Sequence, residues 1–364
     1  MKILVLQDWL RSGGTERQSI LLANAFAAAG HASTLLTFRP GGALAASVAP
    51  DVSRATLQSF DVHLDWFAPG LLREIRRRAP DVVLCMGRMA NCRAGKIQRA
   101  FPNLAVVATM RTGKALPGPF RRSLKVVRTT IANSEDSRAI LVGRYGIPAD
   151  RVDVIHNSLV FPPESSLTRN TALRRKLGAG PDTAVMLCVA MFRPEKNQRE
   201  LIEIAAALPA ALDWQLWLAG EGSAREACER LAREFHLDDR VKFLGFQRDP
   251  SPLFQAADIA VHSSRSESLS NFLIEAQAFG LPVVAYEAQG NAECFIEGKT
   301  GWTVPAGDRA GFVARLQPLL TDARIRATCA SPARAFAREK FDATRQVQAY
   351  LDLFQRLVDS PSKK

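Results

Sequence analysis

Short apolar runs alternate with segments of helical period in two series, separated by a stretch where neither pattern persists. Lys2-Ile3-Leu4-Val5-Leu6 opens the first series and reads as a central parallel strand, because it is rich in β-formers and hardly alternates. The loop Ser12-Gly13-Gly14-Thr15-Glu16-Arg17 follows, then a helix over residues 19–26 that ends near Gly30. Further strands are predicted over 33–38, 81–85, 104–109 and 129–132, and a helix over 71–78. Asn133-Ser134 opens another helix with capping residues, and the series closes on Val152-Asp153-Val154-Ile155-His156-Asn157. Such alternation predicts a parallel sheet with helices on both faces.

Between Asn157 and Asp182 the pattern dissolves into Phe161-Pro162-Pro163-Glu164-Ser165-Ser166, a basic helical piece over 171–177, and Gly178-Ala179-Gly180-Pro181. Proline, serine and glycine mark a connector. The predicted organisation is an α/β domain over 1–160, a linker over 161–181, a second α/β domain over 182–340 and a C-terminal helical segment over 341–364. The second series has strands at 184–190, 214–219 and 241–246, with helices at 201–208 and up to Phe235. Residues 258–264 form its next strand, where His262 reads as a hydrogen-bonded structural histidine.

That strand leads to Glu267-Ser268-Leu269-Ser270-Asn271-Phe272-Leu273-Ile274-Glu275, a loop running into a helix. Ser270 or Asn271 suits the N-cap, Gly280 suits the C-terminal cap, and Pro282 ends the helix before Val283-Val284-Ala285. On one continuous ideal helix the two glutamates would lie about 80° apart. A shared site is easier if Glu267 lies in the loop and Glu275 about one turn inside. Backbone N–H groups at such a helix start attract anions, and flanking carboxylates suit sugar hydroxyls.

Two cations complete the candidate chemistry. Arg193 and Lys196 stand three residues apart after the strand 184–190, at a helix start, where they suit a diphosphate. The Gly13-Gly14 loop allows a ligand close to the backbone but lacks the G-x-G-x-x-G spacing of a dinucleotide site.

Together these elements resemble the retaining family 4 glycosyltransferases of the GT-B fold. The resemblance rests on E-x7-E at Glu267 and Glu275, R-x-x-K at Arg193 and Lys196, and Gly13-Gly14-Thr15-Glu16 as the G-G-x-E loop. It extends to Gly220-Glu221-Gly222, to Val241-Lys242-Phe243-Leu244-Gly245, and to Gly301-Trp302-Thr303-Val304-Pro305 with Gly307-Asp308. Elsewhere the match departs: His156 and Ser158 flank Asn157 in place of proline and glycine, Gln289 replaces a glycine, and Met110-Arg111-Thr112-Gly113 stands where members often carry a histidine.

The resemblance implies two Rossmann-like domains facing across a cleft, with the C-terminal helix, residues 341–358, crossing back to the first. It also implies a hexosyl-type transfer, with retention, from a nucleotide-diphosphate sugar to a hydroxyl of a glycan or lipid-linked acceptor. The expected setting is cell-surface polysaccharide or lipopolysaccharide synthesis. Arg193 and Lys196 are expected to stabilise the leaving diphosphate, Glu267 to hold the donor sugar, and Glu275 the ribose. Leu269, Ser270 and Asn271 complete the donor cradle, and Phe246 lies against the base. Gly13, Gly14 and Arg111 form the acceptor or phosphate loop. Arg111 cannot serve as a general base, since a guanidinium does not deprotonate at working pH. No D-x-D element occupies a loop position, so no metal and no cofactor beyond the donor are expected.

Composition adds a partner. The chain has 364 residues, and 47% hydrophobic content supplies ample core for two domains. A net charge of +12 calls for an anionic partner. Between residues 71 and 130 only Glu74 and Asp81 oppose Arg73, Arg76, Arg77, Arg78, Arg88, Arg93, Lys96, Arg99, Arg111, Lys114, Arg121, Arg122, Lys125 and Arg128. Contact with anionic lipid headgroups or with a polyanionic acceptor is expected here, with Phe120 beside Arg121-Arg122 as the side chain for interfacial insertion. Nucleic acid is not expected, because aromatics are sparse and no reader motif appears.

The six cysteines lack C-x-x-C or metal spacing and read as reduced structural thiols. No apolar run approaches a membrane span and the chain opens on a strand, so a cytoplasmic protein, peripheral at the inner membrane face, is expected. The competing readings are another GT-B enzyme, such as a sugar-nucleotide epimerase or a phosphorylase, and a non-catalytic glycan- or nucleic-acid-binding protein on a decayed scaffold.

Overall fold

The computed structural model describes residues 1–161 and 167–360, so part of the predicted connector, Pro162 to Ser166, lies outside the described residues. The chain divides into two compact units: Met1–Ser158 with the C-terminal stretch from Ala343, and Leu159–Asp342.

The first unit is built on seven parallel strands: β1 (Lys2–Gln7), β2 (Ala32–Thr37), β3 (Ser53–Thr56), β4 (Val82–Cys85), β5 (Ala105–Met110), β6 (Thr129–Ala132) and β7 (Val152–Val154). Their order is β3-β2-β1-β4-β5-β6-β7, with Ile3 paired to Ser33 on one side and to Val82 on the other. Helices α1 (Gly14–Ala28), α2 (Leu71–Arg78), α3 (Arg88–Ala100), α4 (Gly118–Leu124) and α5 (Glu135–Gly143) accompany them. The apolar run of β1 follows from burial on both faces. Ile3 and Val5 join a core with Phe26 of α1 and with Tyr350 and Phe354 of the C-terminal helix, while Leu4 and Leu6 join another with Ile97 of α3. Ser134 caps α5, its hydroxyl accepting the Ser137 N–H at 3.0 Å.

Helix α3 escaped the sequence pattern because its buried face is mostly Ala90, Ala94, Asn91 and Gln98, with Ile97 the one large apolar side chain. Edge strand β3 escaped because its four residues are largely exposed. Phe120 corrects an expectation: it is 1% exposed and packs in the core with Leu116 and Leu124, so it cannot insert into a membrane. Many of the cations are structural as well. Arg77 and Arg78 pair with Glu74, Arg88 donates to the Ala115 carbonyl, and Arg128 donates to the Leu357 carbonyl near the end of the C-terminal helix.

The second unit carries six parallel strands: β8 (Ala184–Val189), β9 (Trp214–Ala219), β10 (Val241–Gly245), β11 (Ile259–His262), β12 (Val283–Tyr286) and β13 (Gly301–Val304). They run in the order β10-β9-β8-β11-β12-β13. Its helices are α6 (Thr171–Lys176), α7 (Gln198–Ala206), α8 (Arg225–Glu234), α9 (Ser251–Ala256), α10 (Asn271–Ala278), α11 (Arg309–Thr321) and α12 (Ala323–Phe341). In both sheets the strand order reverses beside the first strand of the series, at β1/β4 and β8/β11. Ligands of open parallel sheets bind beyond the carboxyl ends at such reversals.

Helix α6, expected within a linker, is locked into the second unit. The buried Arg174 guanidinium donates to Asp258 Oδ2 at 2.9 Å and to the Ala256 carbonyl at 2.8 Å, and the same carboxylate oxygen accepts the Val185 N–H. At the C-terminus the helix expected over 341–358 breaks at Asp342, giving α12 and then α13 (Ala343–Asp359), which belongs to the first unit. All six cysteines are free, and burial raises the thiols, Cys188 to about 12. Among the described residues no helix is long and apolar enough to cross a membrane.

Asp8, just beyond β1, accepts the Met89 and Ala90 N–H groups of the first turn of α3 at 2.9 and 2.7 Å. Burial pushes its carboxyl up to about 6 against the lowering effect of those two bonds. The folded state therefore holds the proton more tightly than the unfolded state, so this group's contribution falls as pH rises from about 4 through 6. Asp8→Asn is expected to flatten stability across that window, checked by urea unfolding of both proteins at intervals of pH.

Candidate active site

The site is assembled where β8 and β11 end. After β8 the chain passes Ala190-Met191-Phe192 to Arg193, and Pro194–Lys196 makes one 3-10 turn. Asn197, in the left-handed region with φ of 54°, then starts α7. The Gly220-Glu221-Gly222 turn supports this loop: the Phe192 N–H donates to the Glu221 carbonyl, and the Ala224 N–H to the Phe192 carbonyl. A Cβ on Gly222 would stand 2.3 Å from that carbonyl oxygen, so the approach requires glycine.

Beyond β11, Ser263 and Ser264 bind the loop from the other side. Ser263 Oγ donates to the Asn197 carbonyl at 2.7 Å, Ser264 Oγ to the Glu195 carbonyl at 3.2 Å, and the Arg265 N–H to the same Glu195 carbonyl at 2.8 Å. Two strand-end loops are thus fixed against each other through backbone atoms, which sets where their side chains meet.

They meet at Glu267. Lys196 Nζ donates to its Oε1 at 2.5 Å, and His262 Nε2 reaches the same oxygen at 2.7 Å. Burial by itself would raise the carboxyl, but the Lys196 charge and the His262 hydrogen bond outweigh it and hold the group down to about 2. His262 Nδ1 is buried with no partner, so the tautomer that leaves no N–H unpaired carries its proton on Nε2 and donates to Glu267. The imidazole lies 5.7 Å from the Phe272 ring at the start of α10.

Helix α10 begins at Asn271 with Ser270 at the N-cap, although no side-chain bond closes that cap. Its end is a Schellman turn: the Gly280 N–H donates to the Gln277 carbonyl and the Leu281 N–H to the Ala276 carbonyl. Glu267 lies in the loop and Glu275 is the fifth residue of the helix, half-buried, as a shared site requires. Leu269 and Ser270 are buried in the loop itself. Gly290 closes on it from behind, where a Cβ would stand 2.0 Å from the Ser268 carbonyl oxygen. The Arg193 guanidinium makes no ion pair or hydrogen bond among the described residues. Phe246 stands exposed just past β10, beside Gly245, whose carbonyl accepts the Gly220 N–H.

Gly13, Gly14 and Arg111 belong to the first unit. Gly13 is the N-cap of α1 and Gly14 its first residue, so the helix begins five residues earlier than the periodicity indicates. Arg111 follows β5 and is already engaged, donating to Asn157 Oδ1 and to the Tyr350 hydroxyl, each at 2.5 Å. It braces the end of the sheet against α13.

The structure has Arg193, Lys196 and Glu267 in strand-end loops and Glu275 in α10, and it adds three residues to their surroundings that the sequence reading did not include. His262 gave a signal, a histidine ending an apolar strand five residues before Glu267, and was assigned a structural bond without its partner. Ser263 and Ser264 act through backbone carbonyls of a distant loop, which no spacing rule detects.

Residues 12–159 match the family described as Glycosyltransferase Family 4, and residues 169–336 match Glycosyl transferases group 1. A lipopolysaccharide core biosynthesis glycosyltransferase, LpsE of Rhizobium meliloti (strain 1021), is 32% identical over 180 residues, which is 50% of this chain and 52% of that one. The putative glycosyltransferase EpsD of Bacillus subtilis (strain 168) is 30% identical over 222 residues, 60% of this chain and 58% of its own. The chain thus spans about half the length of the curated relatives it matches. The crystal structure of Anabaena Alr3699/HepE in complex with UDP-glucose superposes with a TM-score of 0.82 at 24% identity, covering 98% of this chain and 100% of that one. The fold is therefore that of the GT-B glycosyltransferases. The chain belongs to family 4 of these enzymes.

Lys196→Met is expected to leave Glu267 buried with His262 alone and to cost on the order of 3 kcal/mol at neutral pH. In the native protein the Glu267 contribution is present above its unfolded value of 4.5 and is lost as pH falls towards about 2. The stability gap between the two proteins should therefore narrow as the solution is acidified, as measured by denaturant unfolding at several pH values.

Proposed function

We propose that the chain transfers a sugar, with retention, from a nucleotide-diphosphate sugar to a hydroxyl of a glycan or lipid-linked acceptor in cell-surface polysaccharide synthesis. The observation that carries the reading is the meeting of Lys196 and Glu267, held in place by backbone bonds from Ser263 and Ser264 and with Arg193 on the same turn. An ammonium has three donors, so Lys196 can hold Glu267 with one and serve a diphosphate with the others. Arg193 adds a forked donor for the charge that grows on the leaving group. Glu267, kept ionised and oriented, accepts hydrogen bonds from hydroxyls of the donor sugar. Glu275 takes the ribose, the backbone from Leu269 to Asn271 completes the cradle, and Phe246 lies against the base.

In this reading the leaving phosphate itself accepts the acceptor's proton on the face it leaves, so no enzymic base is required. Neither a metal nor a cofactor other than the donor takes part. The acceptor is assigned to the first unit, with Gly13 and Gly14 at the start of α1 and Arg111 fixing the neighbouring strand end. Complexes of HepE with UDP and with UDP-glucose make uridine nucleotides the first donors to try. The lipopolysaccharide role in the name of LpsE supports a lipid-linked glycan acceptor at the cytoplasmic face of the membrane.

Thermal stabilisation by a panel of nucleotide sugars, followed by transfer assays with the ligands that stabilise, tests the reading. Transfer should persist in chelator, and Arg193→Ala should lower kcat/KM by about a hundredfold. Full activity in that variant would remove the diphosphate role, and no stabilisation of the native protein by any nucleotide sugar would remove the donor site.

A further inference from the structure

The segment from Gln58 to Phe67 in the first unit is built inside out. Gln58, Asp61 and Asp65 turn toward the body of the unit, while Ser59 and His63 are exposed. Gln58, 2% exposed, donates through Nε2 to the Leu64 and Phe67 carbonyls at 2.9 and 2.7 Å. The buried Arg39 guanidinium donates to Asp61 at 2.7 Å and to Asp65 at 2.6 Å, and lies 3.9 Å from the Trp9 ring centroid. Arg11 pairs with Asp65 as well. The Asp61 carboxyl is held down to about 2, chiefly by its hydrogen bond from Arg39.

The apolar side chains face outward. Phe60 is 74% exposed and Trp66 56%, with Leu64 and Phe67 beside them. Among the described residues of this unit, Val358 is the one other large hydrophobic side chain so exposed. Four such residues within eight positions, on a loop tied down by the buried Gln58 and Arg39, form a patch that water alone does not explain.

The charge beside the patch indicates what covers it. Phe67 forms one wall of an open hollow of about 380 Å³ whose rim carries Arg73, Arg93 and Lys96. Arg93 donates to the Trp66 carbonyl at 2.8 Å, and none of the three meets a carboxylate among the described residues. Arg121, Arg122 and Lys125 are exposed as well, but Arg73, Arg93 and Lys96 are the cations that line the same hollow as Phe67.

We propose that residues 60–67 dock this unit on an anionic membrane. Phe60, Leu64, Trp66 and Phe67 enter the headgroup–acyl boundary, a depth of about 5–10 Å, and Arg73, Arg93 and Lys96 meet lipid phosphates. This deepens the membrane-side reading above and moves the contact from Phe120, which is buried, to a loop that the sequence pattern left unassigned.

Flotation of the whole protein with vesicles tests it. Binding is expected to equimolar phosphatidylcholine and phosphatidylglycerol, weaker binding to phosphatidylcholine alone, and weakening with salt. Phe60→Ser with Trp66→Ser should lower partitioning about tenfold or more. Neutralising Arg73, Arg93 and Lys96 to Gln should lower it about fivefold per charge. Neutralising the exposed Arg121, Arg122 and Lys125 instead should cost less. Failure of the native protein to float with anionic vesicles, or a serine variant that floats like the native protein, overturns the proposal. Melting temperature with and without each nucleotide sugar of the panel is followed for the native protein. No stabilisation by any of them with intact flotation rejects the donor reading and leaves the docking surface standing, and the opposite pattern does the reverse.

Discussion

One buried carboxylate organises the second unit. An ionised glutamate can be kept out of water only if its charge is matched where it lies, and the match at Glu267 comes from two directions, Lys196 on the β8 loop and His262 at the end of β11. Each partner constrains a backbone. The Lys196 loop rests on the Gly220-Glu221-Gly222 turn, and the Glu267 loop rests on the Gly290 turn. What begins as an electrostatic requirement at one oxygen atom is thereby propagated into the shape of four loops. The same atoms that satisfy the charge also place it beside a helix start, on a turn that carries a second cation, Arg193.

The two units solve a common problem differently. Both are parallel sheets whose strand order reverses next to the first strand, so both collect their loops at one edge. In the second unit the edge is filled by short loops with serine and glycine, which hold one another through main-chain bonds. In the first, the corresponding cations are largely absorbed into the body: Arg111 onto Asn157 and Tyr350, and Arg39 onto Asp61 and Asp65. Positive charge in a sequence is therefore a poor guide to where an anion binds until the structural uses of each arginine have been subtracted. Only Arg39 and Arg174 of the described cations are buried outright, and both are matched by carboxylates.

The α/β alternation was legible because buried parallel strands such as β8 and β12 read as unbroken apolar runs and β1 as one between its two polar ends. Helix α2 was legible from its amphipathic spacing, and α10 from its cap and its terminating glycine. What escaped was held by small or polar residues. The buried face of α3 is largely alanine and amide side chains, and β3 is an exposed edge; α6 was read as helical, but the buried Arg174–Asp258 ion pair that ties it to the second unit was not legible. The same division applies to the site. Charged residues in motif spacing were visible, whereas the contact between Lys196 and Glu267, 71 residues apart, depends on two strands being neighbours. Phe120 was misplaced because local context, two arginines beside a phenylalanine, says nothing about which face of α4 meets α3.

The sharing of a single Glu267 oxygen by two donors has a consequence for how such a chain can drift. A change at position 196 alone leaves the carboxylate one partner, and a change at 267 alone leaves Lys196 without its counter-charge, so either is destabilising. Exchanging the two residues fails as well. The Nε2–H of His262 would then face an ammonium, and the alternative tautomer would put a proton on Nδ1, which has no acceptor in its apolar surroundings. Positions 196, 262 and 267 are thus coupled, and a neutral alternative to the trio requires simultaneous substitutions.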